Sequence, residues 1–194
     1  MTQISHIYRI DYADVITDIV DPEQWRSFAE SNAWVGSPHP ADVVGHKIWE
    51  FIQNRETRHL YQQIFRRIRA GLPSHILPFR CDSPEERRYL ELRTKALPNA
   101  GIEITSTFLR RELRDPVPLL DVSLPRSSEF VTICSMCKKI RIRPETWVEI
   151  EEGLIHFKLF EEERMPGLSH GLCEACYGAT MRELEALDPL CPCH

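Results

Sequence analysis

Residues 55–71 read RETRHLYQQIFRRIRAG. Leu60, Ile64 and Ile68 recur every four residues, and Tyr61 and Phe65 widen the stripe. That period belongs to an amphipathic helix, with Gly71 standing where a C-terminal cap belongs. The other face carries Arg55, Arg58, Arg66, Arg67 and Arg69. Such a face is ordinarily solvated; the competing reading is a surface for an acidic partner.

Downstream of this helix the period changes to two. HILPFRC (75–81) sets Leu77, Phe79 and Cys81 on one face. YLELRTKAL (89–97) turns Leu90 and Leu92 inward and Glu91, Arg93 and Lys95 outward, and IEITSTFLRRE (102–112) aligns Ile102, Ile104, Ser106 and Phe108. DSPEE and PNAG supply the turns, so three strands in a meander are expected. Upstream, IYRID (7–11) and VITDIV (15–20) read as two short strands. DPEQW then opens a helix, with Asp21 as cap, Pro22 at the first helical position, Gln24 in capping-box register, and Trp25, Phe28 and Ala29 on its apolar side. NAWVGSPHP (32–40) reads as a loop, and DVVGHKIWEFI (42–52) as a short apolar segment broken at Gly45. The expected fold class is α+β: one antiparallel sheet, helices on one face, the first strands beside the last.

That order of elements resembles the PAS sensory domain over about residues 5–112. The pieces that carry the likeness are VVGHKIWEFI before the long helix and LPFRCDSPEERRYLELRTKALPNAGIEITSTF after it. The resemblance implies a domain that holds a small ligand or a partner, and in some relatives haem or flavin. The helical cysteine motif of the light-sensing flavin members is not visible here. For haem, His59 is the best axial candidate, with Arg58 beside it. A packed core or a small apolar pocket is expected instead of either cofactor.

Residues 115–130, DPVPLLDVSLPRSSEF, contain Pro116, Pro118 and Pro125 and read as a linker that packs through Leu119 and Leu120. The expected organisation is a PAS-like domain over 1–114, a linker over 115–129, a cysteine-bearing module over 130–188 and a tail over 189–194. Charge divides the same way. Residues 1–114 hold 16 Lys/Arg against 15 Asp/Glu, whereas residues 115–194 hold 8 against 14. An acidic cysteine-rich half is a poor match for a phosphate backbone, so nucleic acid is not an expected partner.

The second half carries two C-x-x-C pairs. Cys134 and Cys137 stand in CSMCKK, and Cys173 and Cys176 in SHGLCEAC. Each pair places two thiolates on one tight turn, and two pairs give the tetrahedral four-sulfur set that structural Zn2+ favours. WVEI (147–150) and LIHFKL (154–159), on either side of EEG, read as a hairpin. After Cys173 an amphipathic helix presents Tyr177, Met181, Leu184 and Leu187. Knuckle, hairpin and a helix with ligands in its first turn resemble a treble-clef zinc finger. Lys138, Lys139, Arg141 and Arg143 can offset the charge of a tetrathiolate. His170 is the alternative ligand, or a group that orients a thiolate from outside the coordination sphere. The segment over residues 131–180 also resembles a cysteine-rich tail, C-x-x-C-K-[KR] then S-H-G-x-C-x-x-C, found on bacterial PAS-type signalling proteins. That likeness implies signalling without specifying chemistry.

The remaining cysteines say less. Cys81 reads as a small buried hydrophobe, and Cys191, Cys193 and His194 in the terminal CPCH as a frayed end, the spacing being wrong for c-type haem attachment. P-loop, G-x-G-x-x-G, G-x-S-x-G and H-E-x-x-H motifs are lacking, and His46, His59 and His75 form no recognisable triad. No apolar run reaches the roughly 20 residues that span a bilayer, and MTQISHIYRIDY does not read as a secretory leader. The expectation is a cytoplasmic, non-enzymatic signalling or regulatory protein with structural Zn2+. Its partner would be another protein or a small apolar ligand, with no membrane role and a homodimer left open. Two other classes compete: a thiol redox switch on the C-x-x-C pairs, and a haem-based sensor.

Overall fold

A computed structural model of the chain describes residues 5–31 and 40–187. The loop expected at 32–39, the Phe28 and Ala29 side chains and the CPCH end lie outside what it describes. The fold is α+β. Strands β1 (Ser5–Ile10) and β2 (Ile16–Ile19) form a hairpin. They are followed by α1 (Pro22–Ser31), the short α2 (Pro40–Val43), a 3-10 turn over Ile48–Glu50, and α3 (Arg55–Arg69). Then come β3 (Ser74–Arg80), β4 (Glu86–Ala96) and β5 (Ile102–Leu113). The sheet is antiparallel throughout in the order β2-β1-β5-β4-β3, so the first strand returns beside the last, with Tyr8 opposite Ile104.

The helix ends follow their sequence signals. The Asp21 carboxylate accepts from the Gln24 N–H at 2.8 Å, and Asn54 caps α3 by accepting from the Thr57 N–H at 2.8 Å. Gly71 takes φ +117°, a conformation that releases the chain from α3 towards β3 and that a side chain would strain. Leu60, Ile64, Phe65 and Ile68 of α3 are all but inaccessible and pack with Ile10, Leu77, Leu92, Ile102 and Ile104 of the sheet. Each such side chain contributes roughly 1.5–3 kcal/mol over its exposed state.

The second half builds a four-stranded sheet from β6 (Arg126–Cys134), β7 (Ile140–Arg143), β8 (Thr146–Val148) and β9 (Met165–Gly171), in the order β8-β7-β6-β9. Helix α4 (Ile150–His156) lies before β9, and α5 (Glu174–Ala186) after it. β6 and β9 run parallel, with Ile133 opposite His170 and Cys134 opposite Gly171. Residues 115–125 are not a free tether. Val117 and Leu119 are fully buried with Ile133, Ile140, Ile150 and Leu154 in the core of this second sheet, and Leu120 packs against it.

The expected hairpin at 147–159 is corrected. The hairpin lies one segment earlier, as β7 and β8 turning at Glu145 in left-handed conformation, and residues 150–156 form α4. Ile150 and Leu154 are both buried four residues apart, a helical spacing, and Glu151 and Glu152 sit in the first turn where the helix dipole favours carboxylates. Gly153 lets α4 approach the sheet: a Cβ there would stand 3.0 Å from Ile140 Cδ1.

Candidate metal centre

Four sulfurs converge at one point. The Sγ atoms of Cys134, Cys137, Cys173 and Cys176 all lie within 4.8 Å of one another, and no disulfide links them. Cys134 ends β6 and Cys137 lies in the turn that follows. That turn closes through Lys138 in left-handed conformation (φ 62°), whose N–H donates to the Cys134 carbonyl at 3.1 Å. Cys173 is the N-cap of α5 and Cys176 lies in its first turn. The two turns meet because β6 and β9 are parallel neighbours: the Ser135 N–H donates to the Gly171 carbonyl at 2.8 Å.

The backbone donates into the cluster. The Cys173 N–H points at Cys134 Sγ and the Cys176 N–H at Cys173 Sγ, each at 3.4 Å. The N–H groups of Cys137 and Lys139 serve Cys134 and Cys137 in the same way. Such donors stabilise thiolate, as does a helix N-terminus. Hydrogen bonds from the Cys137 and Cys176 side chains hold the Cys134 thiol far below its ordinary value. The same shared charge pushes Cys137 up to about 12, mainly through Cys134, and raises Cys176 as well. Four thiols this close cannot all ionise without a cation between them.

The geometry fits one. A tetrahedral tetrathiolate with metal–sulfur bonds of about 2.3 Å has sulfurs about 3.8 Å apart. Cys137 Sγ and Cys173 Sγ stand 3.7 Å apart. The four-cysteine set therefore suits a metal ion with every coordination position filled by protein. His170 lies on β9 outside this group, and desolvation by its surroundings, then Lys138, lower its pKa. Of the four basic residues expected to offset the thiolates, Lys138 stays closest, its ammonium donating to the Ser135 carbonyl at 2.9 Å within the turn. Lys139 reaches Glu149 at 4.0 Å, Arg141 lies 5.8 Å from the centre of the Trp147 ring, and Arg143 is exposed.

The cysteine turn is fastened to the first sheet. The Arg80 N–H donates to the Met136 carbonyl at 2.7 Å, and the Arg80 guanidinium to the Cys137 carbonyl at 3.0 Å and to Glu149 at 3.1 Å. The same guanidinium pairs with Asp82, whose carboxylate is fully buried and also faces Arg114 at 3.2 Å. Arg114 and Arg87 in turn meet Glu151 of α4, at 3.5 and 2.7 Å. Neither Arg80 nor Asp82 carries a motif, and sequence reading passed over both. The closest available signal was an Arg-x-Asp at the end of a strand. Cys134, Met136, Leu172, Cys173 and Leu184 share one apolar cluster with Leu77 and Leu92, so the core runs on from sheet to cysteine module.

Two expectations on α3 change. Arg58 donates to the carbonyls of Trp49 (2.7 Å) and Ile52 (2.9 Å), and Arg69 to those of Asp11 and Ala100 and to the Asp14 carboxylate at 2.7 Å. Arg67 is buried and reaches Gln63. Of the five arginines, Arg55 and Arg66 are the exposed ones. His59 is also exposed, its ring 6.2 Å from Tyr177 of α5, and so faces the cysteine module, away from the sheet. Cys81 is half-buried just past β3.

A second feature lies on the helical side of the first sheet. A cavity of about 430 Å³ is lined by Tyr8, Ile16, Ile19, Trp25, Val43, Ile48, Ile52 and Tyr61, with Glu50, Phe51 and Gln53 completing its wall. Its volume falls within the range of small-molecule sites. Helix α3 stands between the two features, with Tyr61 on the cavity and His59 against Tyr177. No helix among the described residues is long and apolar enough to cross a membrane. Comparison with family models, curated proteins and solved structures finds no match to this chain.

Proposed function

We propose that this chain is a cytoplasmic, non-enzymatic signalling or regulatory protein: a PAS-like domain that senses a ligand or a partner, joined to a structural zinc module of treble-clef type. The observation that carries the reading is the β2-β1-β5-β4-β3 sheet, covered by helices that leave a cavity on one side of α3 while the four-cysteine module packs on the other. A tetrathiolate has no open coordination position for substrate, which favours a structural ion over a catalytic one. Zn2+ suits the donor set because it accepts four sulfurs in a tetrahedron and has no redox chemistry of its own. Cys134, Cys137, Cys173 and Cys176 would hold it. Metal analysis with an absorption spectrum on native protein tests the reading. One zinc per chain and a colourless protein are expected; a Soret or flavin band, or an iron–sulfur spectrum, would overturn it.

A redox switch is the second reading, and one distance favours it. Cys137 and Cys173 need close only from 3.7 Å to about 2.05 Å to form a disulfide. Low peroxide followed by zinc-release and thiol counting separates the two. The structural reading expects slow release, and the switch expects rapid release that a thiol reductant reverses.

A further inference from the structure

The walls of the cavity are apolar except at a few points, and those points restrict what it can hold. Tyr8 and Tyr61 both line it, and neither phenol has a hydrogen-bond partner among the described residues. Burial pushes the Tyr8 phenol well above its ordinary value, with Tyr61 adding to the shift, and burial alone pushes Tyr61 up to about 12. Both remain O–H donors at neutral pH, and each residue is only part-buried, so their unpartnered hydroxyls keep accessible surface where a ligand's acceptor could bind. Trp25 meets Tyr8 edge to face at 6.1 Å, giving the cavity an aromatic wall.

Charge narrows the class further. Among the described lining residues none is Lys, Arg or His, and the one ionisable carboxylate is Glu50. The His46 ring at 3.0 Å, followed by the Lys47 N–H at 3.0 Å, holds Glu50 below its ordinary value and so ionised. An anionic ligand would find no lysine, arginine or histidine partner in the lining itself and would lie beside the exposed Glu50 carboxylate.

We infer that the cavity receives a neutral, largely apolar ring compound with one strong hydrogen-bond acceptor, a ketone-type carbonyl, which takes the Tyr8 and Tyr61 hydroxyls as donors. The inference rests on the sensory reading above and specifies its ligand.

Three probes on one scaffold test it against the full, zinc-loaded chain: 2-acetonaphthone, 2-naphthoate and 2-ethylnaphthalene. In calorimetric titration the ketone is expected to bind tightest, with the carboxylate at least about tenfold weaker. Tyr8→Phe and Tyr61→Phe should each weaken the ketone by roughly fivefold to tenfold, the worth of one hydrogen bond, while leaving the hydrocarbon unaffected. Ile52→Trp, which fills the cavity, should remove ketone binding. Carboxylate binding as tight as the ketone's, or ketone affinity retained in the double Tyr→Phe variant, overturns the ligand class and leaves the cavity a ligand site. If none of the three binds while one zinc per chain is retained, the proposal fails together with the ligand half of the sensory reading, and the metal half stands.

Discussion

Arg80 ends β3 of the first sheet and Cys137 lies in the turn after β6 of the second, yet the guanidinium of the first donates to the carbonyl of the second at 3.0 Å. The contact holds the metal-binding turn to the edge strand of the first sheet. It also places a charged group within the backbone of the site.

The Arg80 partner Asp82 is the element of this junction most sensitive to change. Its side chain is fully buried between Arg80 and Arg114. Truncating one member of such a set leaves the others charged and unpaired, at a cost of roughly 3–5 kcal/mol. Asp82→Ala should lower the midpoint of chemical denaturation accordingly. A loss under about 1 kcal/mol would mean that water enters and solvates the two arginines.

Metal removal should act unevenly. Metal binding contributes about 10 kcal/mol or more to the folding of small zinc modules. Cys173→Ser removes a sulfur ligand while a serine can still cap α5, so the effect reports the metal: hydrogen exchange should rise across 130–187 while β1 to β5 keep their protection. Cys137→Ser should lose metal to the same degree and His170→Ala should not. Equal loss in His170→Ala would place that ring on the metal.

Acid should weaken the fold in part through His75. The ring is almost wholly buried on β3, 3.6 Å from Glu183 of α5, and burial lowers its pKa more than Glu183 raises it. The folded chain thus binds this proton less readily than the unfolded chain, whose histidine titrates near 6.5. Stability is therefore complete above about pH 6.5 and declines as pH falls, by up to about 1.4 kcal/mol per pH unit for one proton. His75→Phe should flatten the denaturation profile between about pH 6.5 and 5 relative to the parent chain. His6 and His170, lowered in the same direction, keep part of the slope. Parallel profiles would mean that His75 is solvated.

The arginines of α3 should separate in a stability assay. Arg58→Met removes a cation that closes the turn before the helix through the Trp49 and Ile52 carbonyls, and should cost about 1–3 kcal/mol. Arg66→Met, at an exposed position, should stay within about 0.5 kcal/mol. Equal effects would contradict this division of labour.

The sequence carried much of this fold because its periods were clean. The stripe of Leu60, Ile64 and Ile68 and the alternation around Leu90 and Leu92 each allow one element type, and paired C-x-x-C spacing allows few arrangements. What stayed hidden was non-local or ambiguous. IEEGLIH is short and contains a glycine, so its Ile150–Leu154 helical spacing is easily read as strand, and the close approach to Ile140 that accounts for Gly153 leaves no local mark. The parallel pairing of β6 with β9 joins segments separated by a turn, two strands and a helix, and no local pattern announces it. Arg58 and Arg69 looked solvated because carbonyl acceptors leave no mark in a sequence.

The place of β1 bears on how the chain is made. It lies inside the first sheet, with β2 on one side and β5 on the other, and its second partner reaches from Ile102 to Thr107. On a ribosome adding about 5–20 residues per second, the β1–β2 hairpin waits on the order of ten seconds for that partner. Throughout that interval one edge of β1 presents unpaired amides, a template for any other extended chain nearby. Nascent chains of this protein should therefore lean on holding chaperones until β5 has emerged, and crowded expression should favour aggregates seeded by the hairpin.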